Sequence, residues 1–468
     1  MLFTIALLVA GQAYLLSAGH FPTPPYDKLP HNSTSFNCSK KQIKKMSYFK
    51  YALLLHHWVV QLSNLKHAWE PYSVKEPVSA TPLNQPLYLP TSKATVKNRI
   101  MKAALTEHLG TFTPEKPFES GLPTQSYINL YEKFGNGGYG ILLTGNVMVD
   151  PAHLEGPGNV VIAKEIDTPQ RQKLLGQVAE VAKTDGALAV VQLNSAGRQT
   201  PESLNPHPFS ASDVQLIKNN FNKNFGKPIP LTVDQIRTEV VERFAFAAKA
   251  AYNAGFHGVQ LHGLTYGGSP ENRLRVVIET YNAIRKEVPA GFVVGIKLNS
   301  VEFQEKGLET DDAAVMAEMI DQAGFDFIEL SEREAFFLEF AKQIKPRVKK
   351  AAVYVTGGFR TVPAMVAAVV SGDTDGVGLG RPVTGEPDIA RKLLKDGVHS
   401  CLTCHFDLNN AATVCNIQMR QAGETTLEQA NGNVCHGIVD VSDKEDADKY
   451  MDVILADNVY NVANGHSK

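Results

Sequence analysis

From about residue 96 onward the chain repeats one pattern eight times: a short apolar, β-branched run, a loop bearing Gly, Asn or Ser, then a capped amphipathic stretch. The expected strands are Arg99–Leu105, Gly140–Thr144, Leu188–Leu193, Gly258–Leu261, Val293–Leu298, Phe327–Leu330, Val353–Thr356 and Gly376–Leu379. Between them stand recognisable helix starts: Thr168-Pro169, the capping box Thr232 to Gln235, Ser269-Pro270 and Thr310-Asp311-Asp312. Runs this apolar suit strands covered on both faces, and each strand–helix–strand return has to be parallel. Eight such units can close into a barrel. The competitor is an open doubly wound sheet, which usually shows a glycine fingerprint after its first strand. Here that strand ends in Ala103-Ala104-Leu105-Thr106. The expectation is an α/β fold, a (β/α)8 TIM barrel with an N-terminal extension and a short C-terminal tail.

Three regions are expected: an extension over 1–81, the barrel over 82–425, and an acidic tail over 426–468 whose stretch Asp440 to Asp448 reads as a solvated surface. Leu2 to Leu16 followed by Ser17-Ala18-Gly19 has the form of a signal-peptide core without a basic residue before it, so secretory targeting stands beside an unstructured extension. Tyr51 to Leu65 is broken by His56, His57, Gln61 and Ser63 and suits an amphipathic helix. Membrane association, if any, would run through this N-terminal part; none is expected of the barrel. Lys and Arg total 46 against 48 Asp and Glu, a formal charge of −2. No basic field awaits a phosphate backbone, so nucleic acid is not an expected partner. Five cysteines are too few to staple a chain of 468 residues. Cys401-Leu402-Thr403-Cys404 has half the spacing of a metal motif, but Cys415 and Cys435 follow at unsuitable distances, so free thiols and no metal site are expected.

In a barrel the reactive groups sit where strands end. Those positions are polar here: Thr106, then Thr144 and Gly145, Gln192 and Asn194, His262, and Lys297 with Asn299. The last two strands end in Thr356-Gly357-Gly358-Phe359-Arg360 and Gly378-Leu379-Gly380-Arg381. Glycines let backbone amides approach an anion, and Arg supplies a fork for phosphate oxygens. A ligand carrying a phosphate is expected. Gln192 donates and accepts, Lys297 only donates, and an ammonium beside a flat heterocycle would stabilise its reduced, anionic state. Taken singly, such a Lys is more often a salt-bridge partner, such a Gln a satisfied core amide and such a His structural.

The segments Asn98-Arg99, Lys102-Ala103-Ala104-Leu105-Thr106, Leu143-Thr144-Gly145-Asn146, Gln192-Leu193-Asn194, Gly258-Val259-Gln260-Leu261-His262-Gly263, Gly295-Ile296-Lys297-Leu298 and the two glycine-rich ends together resemble the Old Yellow Enzyme family of FMN-dependent ene-reductases. The resemblance implies that Ala104, Thr106, Gly145, Gln192, His262 and Lys297 contact the isoalloxazine ring. It likewise implies that Gly357, Gly358, Gly380 and Arg381 hold the FMN phosphate. The implied reaction is NAD(P)H-dependent reduction of the C=C bond of a small α,β-unsaturated carbonyl compound, with His262 as catalytic donor to the carbonyl, and the implied compartment for the barrel is the cytoplasm. The alternative is a catalytically impaired FMN-binding barrel that serves as a binding module or scaffold.

The sequence departs from the family at two loops. After His262-Gly263 it passes through Leu264-Thr265 to Tyr266-Gly267-Gly268, where the family has a longer loop holding a second carbonyl donor and a proton-donating Tyr. After Ser331 it runs into Glu332-Arg333-Glu334 without the glycine-bearing loop. Loss of one carbonyl donor is expected to cost about 10²-fold in rate.

Overall fold

The computed structural model of the protein describes residues 71–116, 119–216, 224–263, 269–299, 310–331, 337–406 and 411–451. The signal-like segment, the apolar patch Tyr51 to Leu65 and both shortened loops lie outside them. The chain separates into two units, Ala68–Ser442 and a second made of Met1–His67 with Asp443–Lys468. Of the second, residues 444–451 are helical, and Lys444 pairs with Asp448 one turn on at 2.9 Å.

In the first unit eight parallel strands close on themselves: β1 (Ile100–Lys102), β2 (Ile141–Met148), β3 (Leu188–Asn194), β4 (Gly258–His262), β5 (Val293–Asn299), β6 (Phe327–Ser331), β7 (Ala352–Thr356) and β8 (Gly376–Leu379). Each pairs with the next in chain order, β8 returns to β1 through Val377–Ile100 and Leu379–Lys102, and β1 meets β2 through Met101–Ile141. The fold is the expected (β/α)8 barrel, and closure leaves its strands no free edge. The outer ring comprises α1 (Gln125–Gly135), α2 (Pro169–Ala182), α3 (Glu242–Asn253), α4 (Pro270–Glu287), α5 (Thr310–Ala323), α6 (Phe337–Ile344), α7 (Val362–Val370) and α8 (Ile389–Lys395), followed by α9 (Ala411–Gly423). Local chemistry starts them where expected. Thr168 accepts the Arg171 N–H ahead of α2, Thr232 and Gln235 form a reciprocal box, and Ser269 accepts the Asn272 N–H ahead of α4.

Two strands differ from expectation. β1 stops at Lys102, short of Leu105, and β2 runs past Thr144 to Met148. The cause in β2 is a bulge: its register against β3 shifts between Leu143 and Asn146. A bulge absorbs one extra residue without ending the strand, whereas in sequence its Gly reads as an end.

The barrel interior is filled by Met101, Ile141, Leu143, Val190, Val293, Phe327, Ala352 and Tyr354, joined by Leu89 and Val96 of an antiparallel hairpin, Leu87–Leu89 with Ala94–Val96. That hairpin sits at the N-terminal end of the strands, where buried Asp326 holds it. One Asp326 oxygen accepts the Ser92 N–H at 2.8 Å, and the other accepts the Val294 N–H at 2.8 Å and Arg285 Nη2 at 3.1 Å. At the same end Asp375 accepts the Val353 N–H at 2.8 Å, and Asp321 accepts those of Lys350 and Ala351 at 2.8 and 2.7 Å. Residues 426–442 pack into this unit and do not trail from it: Val434, Ile438, Val439 and Val441 are buried, and Gln418 and Gln421 of α9 hold Val439. Of the acidic stretch, Asp440 is half-exposed between buried Val439 and Val441, while Glu445 and Asp448 are exposed.

Candidate active site

Residues two apart on a strand share a face, so one inward position in a run predicts the next. Gln260 of β4 donates from Nε2 to Glu329 Oε2 of β6 at 2.8 Å. These strands are separated by β5, so the bond crosses the barrel interior and places both side chains inside. Gln192 of β3 donates from Nε2 to Gln260 Oε1 at 2.6 Å. Lys297 of β5 is in register with Glu329, and its Nζ lies 4.0 Å from Glu329 Oε1. That oxygen is buried with no hydrogen-bond partner. A row of polar groups, Gln192, Gln260, Glu329 and Lys297, thus lies above the apolar filling toward the C-terminal mouth. The ordinary roles of a strand-end Lys and Gln, facing a carboxylate and sitting satisfied in the core, are partly met.

His262 ends β4, two residues beyond Gln260 and paired with Asn194 of β3. It is half-buried. Desolvation, and then the Lys297 ammonium, push its pKa from 6.5 down to about 3. The imidazole is therefore neutral at ordinary pH and can donate a hydrogen bond without giving up a proton.

On the β1–β2 side a second network shapes the rim. The Thr106 hydroxyl donates to Glu155 Oε2 at 2.9 Å, and Asn146 Nδ2 donates to the same oxygen at 2.6 Å. Buried Glu107 accepts the Gly145 N–H at 2.7 Å and the Tyr131 hydroxyl. A Cβ on Gly145 would lie 2.2 Å from Glu107 Oε2 and 2.3 Å from the Leu105 carbonyl, so the bulge requires glycine. Ala104 packs on the interior apolar cluster. Beside them buried Lys102 donates to the Leu143 carbonyl at 2.9 Å and lies over the Phe134 ring at 4.8 Å. Desolvation lowers its pKa from 10.5 to about 8, against opposing pulls from Glu107 and Glu329.

On the β7–β8 side Gly357 and Gly358 have φ of 146° and 59°, conformations that favour glycine. A Cβ on Gly380 would meet only Leu105 Cδ2, at 3.9 Å, so the approach to that backbone is open. The Arg381 side chain lines a cavity of about 240 Å³ with Arg360, Glu386, Cys404, Cys415 and Gln418. Gln192, His262 and Lys297 do not line it. What Arg381 shares with them is the barrel end at which all their strands terminate.

The structure thus joins Gln192 and Lys297 through Gln260 and Glu329, and places Gly145 and Thr106 in linked rim networks. Sequence reasoning missed Gln260, Glu329, Glu107 and Glu155. For the first two a signal existed: Gln260 shares the face of His262, and Glu329 is a charge inside the apolar run Phe327-Ile328-Glu329-Leu330.

The sequence profile of the NADH:flavin oxidoreductase / NADH oxidase family matches residues 82–399. The NADH-dependent flavin oxidoreductase nadA of Aspergillus parasiticus is 34% identical over 388 residues, covering 74% of this chain and 86% of that protein. Among solved structures, the Old Yellow Enzyme homologue of Zymomonas mobilis matches with a TM-score of 0.56 and 19% identity, covering 68% of this chain and 94% of its own. 2-Naphthoyl-CoA reductase in complex with 2-naphthoyl-CoA matches with a TM-score of 0.60 and 18% identity, covering 73% of this chain and 58% of that one, so this chain spans little more than half of it. Identities this low speak for the barrel alone. With a family profile spanning most of the chain and a relative a third identical over its greater part, the chain belongs to the NADH:flavin oxidoreductase / NADH oxidase family, the Old Yellow Enzyme family of FMN-linked oxidoreductases.

Proposed function

We propose that the protein is an FMN-dependent NAD(P)H oxidoreductase that reduces the activated C=C bond of α,β-unsaturated carbonyl compounds. The observation that carries this reading is the convergence of Gln192, Lys297 and a neutral His262 at the mouth of a closed barrel. The donor set fits FMN. A cation and an amide suit the pyrimidine end of the ring, and the unobstructed Gly380 backbone beside Arg381 suits a phosphate.

FMN, when bound, supplies the hydride relay from NAD(P)H to the β-carbon of the substrate. Lys297 offsets the negative charge that reduction adds to the ring. Gly357, Gly358, Gly380 and Arg381 hold the phosphate. His262 donates a hydrogen bond to the substrate carbonyl oxygen and stabilises the charge that builds there, as an oxyanion hole does. Three residues beyond it in sequence stands Thr265, where the family has a second donor; among the described residues His262 is the one assigned to the carbonyl, and the α-carbon takes its proton from water.

The shortened loop favours a second reading, in which the barrel holds FMN without turnover. Anaerobic mixing of the purified protein with NADH or NADPH, then with cyclohexenone, separates the two. Flavin absorbance that bleaches and returns on adding the enone is the expected result. Bleaching without return supports the binding module, and a colourless protein that takes up no added FMN overturns both.

A further inference from the structure

Glu329 is a carboxylate in the middle of an apolar strand, fully buried, with one oxygen bonded to Gln260 and the other without a hydrogen bond. Stability gives little reason for the charge. A glutamine there would serve Gln260 equally well as an acceptor, and burying a carboxylate is costly even with a cation beside it. Besides its pull on Lys102, the charge has two addresses at the mouth. One is the Lys297 ammonium, 4.0 Å away on the neighbouring strand. The other runs through Gln260: because Glu329 can only accept, Gln260 must turn its Nε2 inward and its Oε1 toward Gln192. Gln192 in turn must give an N–H to Gln260, which leaves its own Oε1 as an acceptor for whatever lies in the mouth. An imide N–H flanked by carbonyls, as at the pyrimidine end of a flavin, is the partner that this orientation favours.

We propose that Glu329 is a positioning residue whose carboxylate, from beneath the mouth, sets both the Lys297 ammonium and the Gln192 amide, and through them the reduction potential of the bound flavin. The proposal rests on the flavin reading above. The negative charge of Glu329 partly cancels that of Lys297, so it holds the potential lower than Lys297 alone would set it.

The test is spectroelectrochemical titration of the FMN-loaded protein. Glu329→Gln keeps the acceptor for Gln260 and removes the charge. It is expected to retain FMN and to shift the two-electron midpoint positive, favouring reduction by about tenfold, or about 30 mV. Gln260→Met cuts the link to Gln192 while leaving Glu329 beside Lys297, and is expected to weaken FMN binding by about tenfold. An unchanged midpoint in Glu329→Gln with FMN bound overturns the proposal and leaves the flavin reading standing. Should that variant fail to fold, wild-type FMN affinity in Gln260→Met overturns it. Wild-type protein that binds no FMN overturns the flavin reading itself, and this proposal with it.

Discussion

His262 is hard to charge. Its pKa of about 3 lies below the ordinary 6.5, so between these values the unfolded chain takes up a proton that the folded chain refuses. Its contribution to stability therefore falls as pH drops from 6.5 toward 3. His262→Gln should flatten that part of a plot of melting temperature against pH, and the pH–rate profile of the wild type should show no step from this residue above pH 5. His262→Ala should retain FMN and lose about 10²-fold or more in enone reduction, measured by stopped-flow reoxidation of the reduced protein. Lys297 has a different signature. Lys297→Met should leave FMN bound and slow its reduction by NAD(P)H; unchanged reduction kinetics would remove Lys297 from the redox role.

At the scale of elements, the bulge in β2 turns Gly145 toward the loop that follows β1, where Glu107 captures its amide. Gly145→Ala forces a methyl group onto Glu107 and the Leu105 carbonyl. It should cost about 1–3 kcal/mol in denaturant-unfolding stability and loosen FMN, with flavin lost on dialysis as the readout. The positions of all eight strands were legible because a strand covered on both faces leaves a continuous apolar run, and the helix starts because a cap needs residues only three apart. The bulge was not, since a glycine inside a strand and one ending it look alike. Nor were Glu107 and Glu155, whose partners Tyr131, Gly145 and Thr106 are far away in sequence: contacts that depend on tertiary closure leave no period to read. Gln260 and Glu329 stand between these cases, visible as polar breaks in apolar runs yet given meaning only by the bond that crosses the barrel.

Across the whole molecule the two ends of the barrel are chemically opposite. Asp321, Asp326 and Asp375 cap backbone N–H groups at the N-terminal end, while Gln192, His262, Lys297 and Arg381 stand at the C-terminal end, where barrels carry their chemistry. Stability and function should therefore respond to different substitutions. Asp326→Ala strands two backbone amides and takes from Arg285 its carboxylate partner, and should cost about 3–5 kcal/mol, read as a lower melting temperature, with the flavin spectrum of the folded protein unchanged. Arg381→Ala should do the reverse, releasing FMN on dialysis while the melting temperature of the flavin-free protein stays put; full retention of FMN would refute the phosphate assignment.

The aspartate-sealed end has a further consequence for what can be built on this scaffold. Gly263 and Ser269 lie at the pole opposite the seal, so the five positions joining them are a natural place for transplantation. On the proposed reading, a longer insert bearing an amide or imidazole donor and a tyrosine, spliced there, would add a second donor to the carbonyl beside His262 without asking the rest of the chain to fold anew.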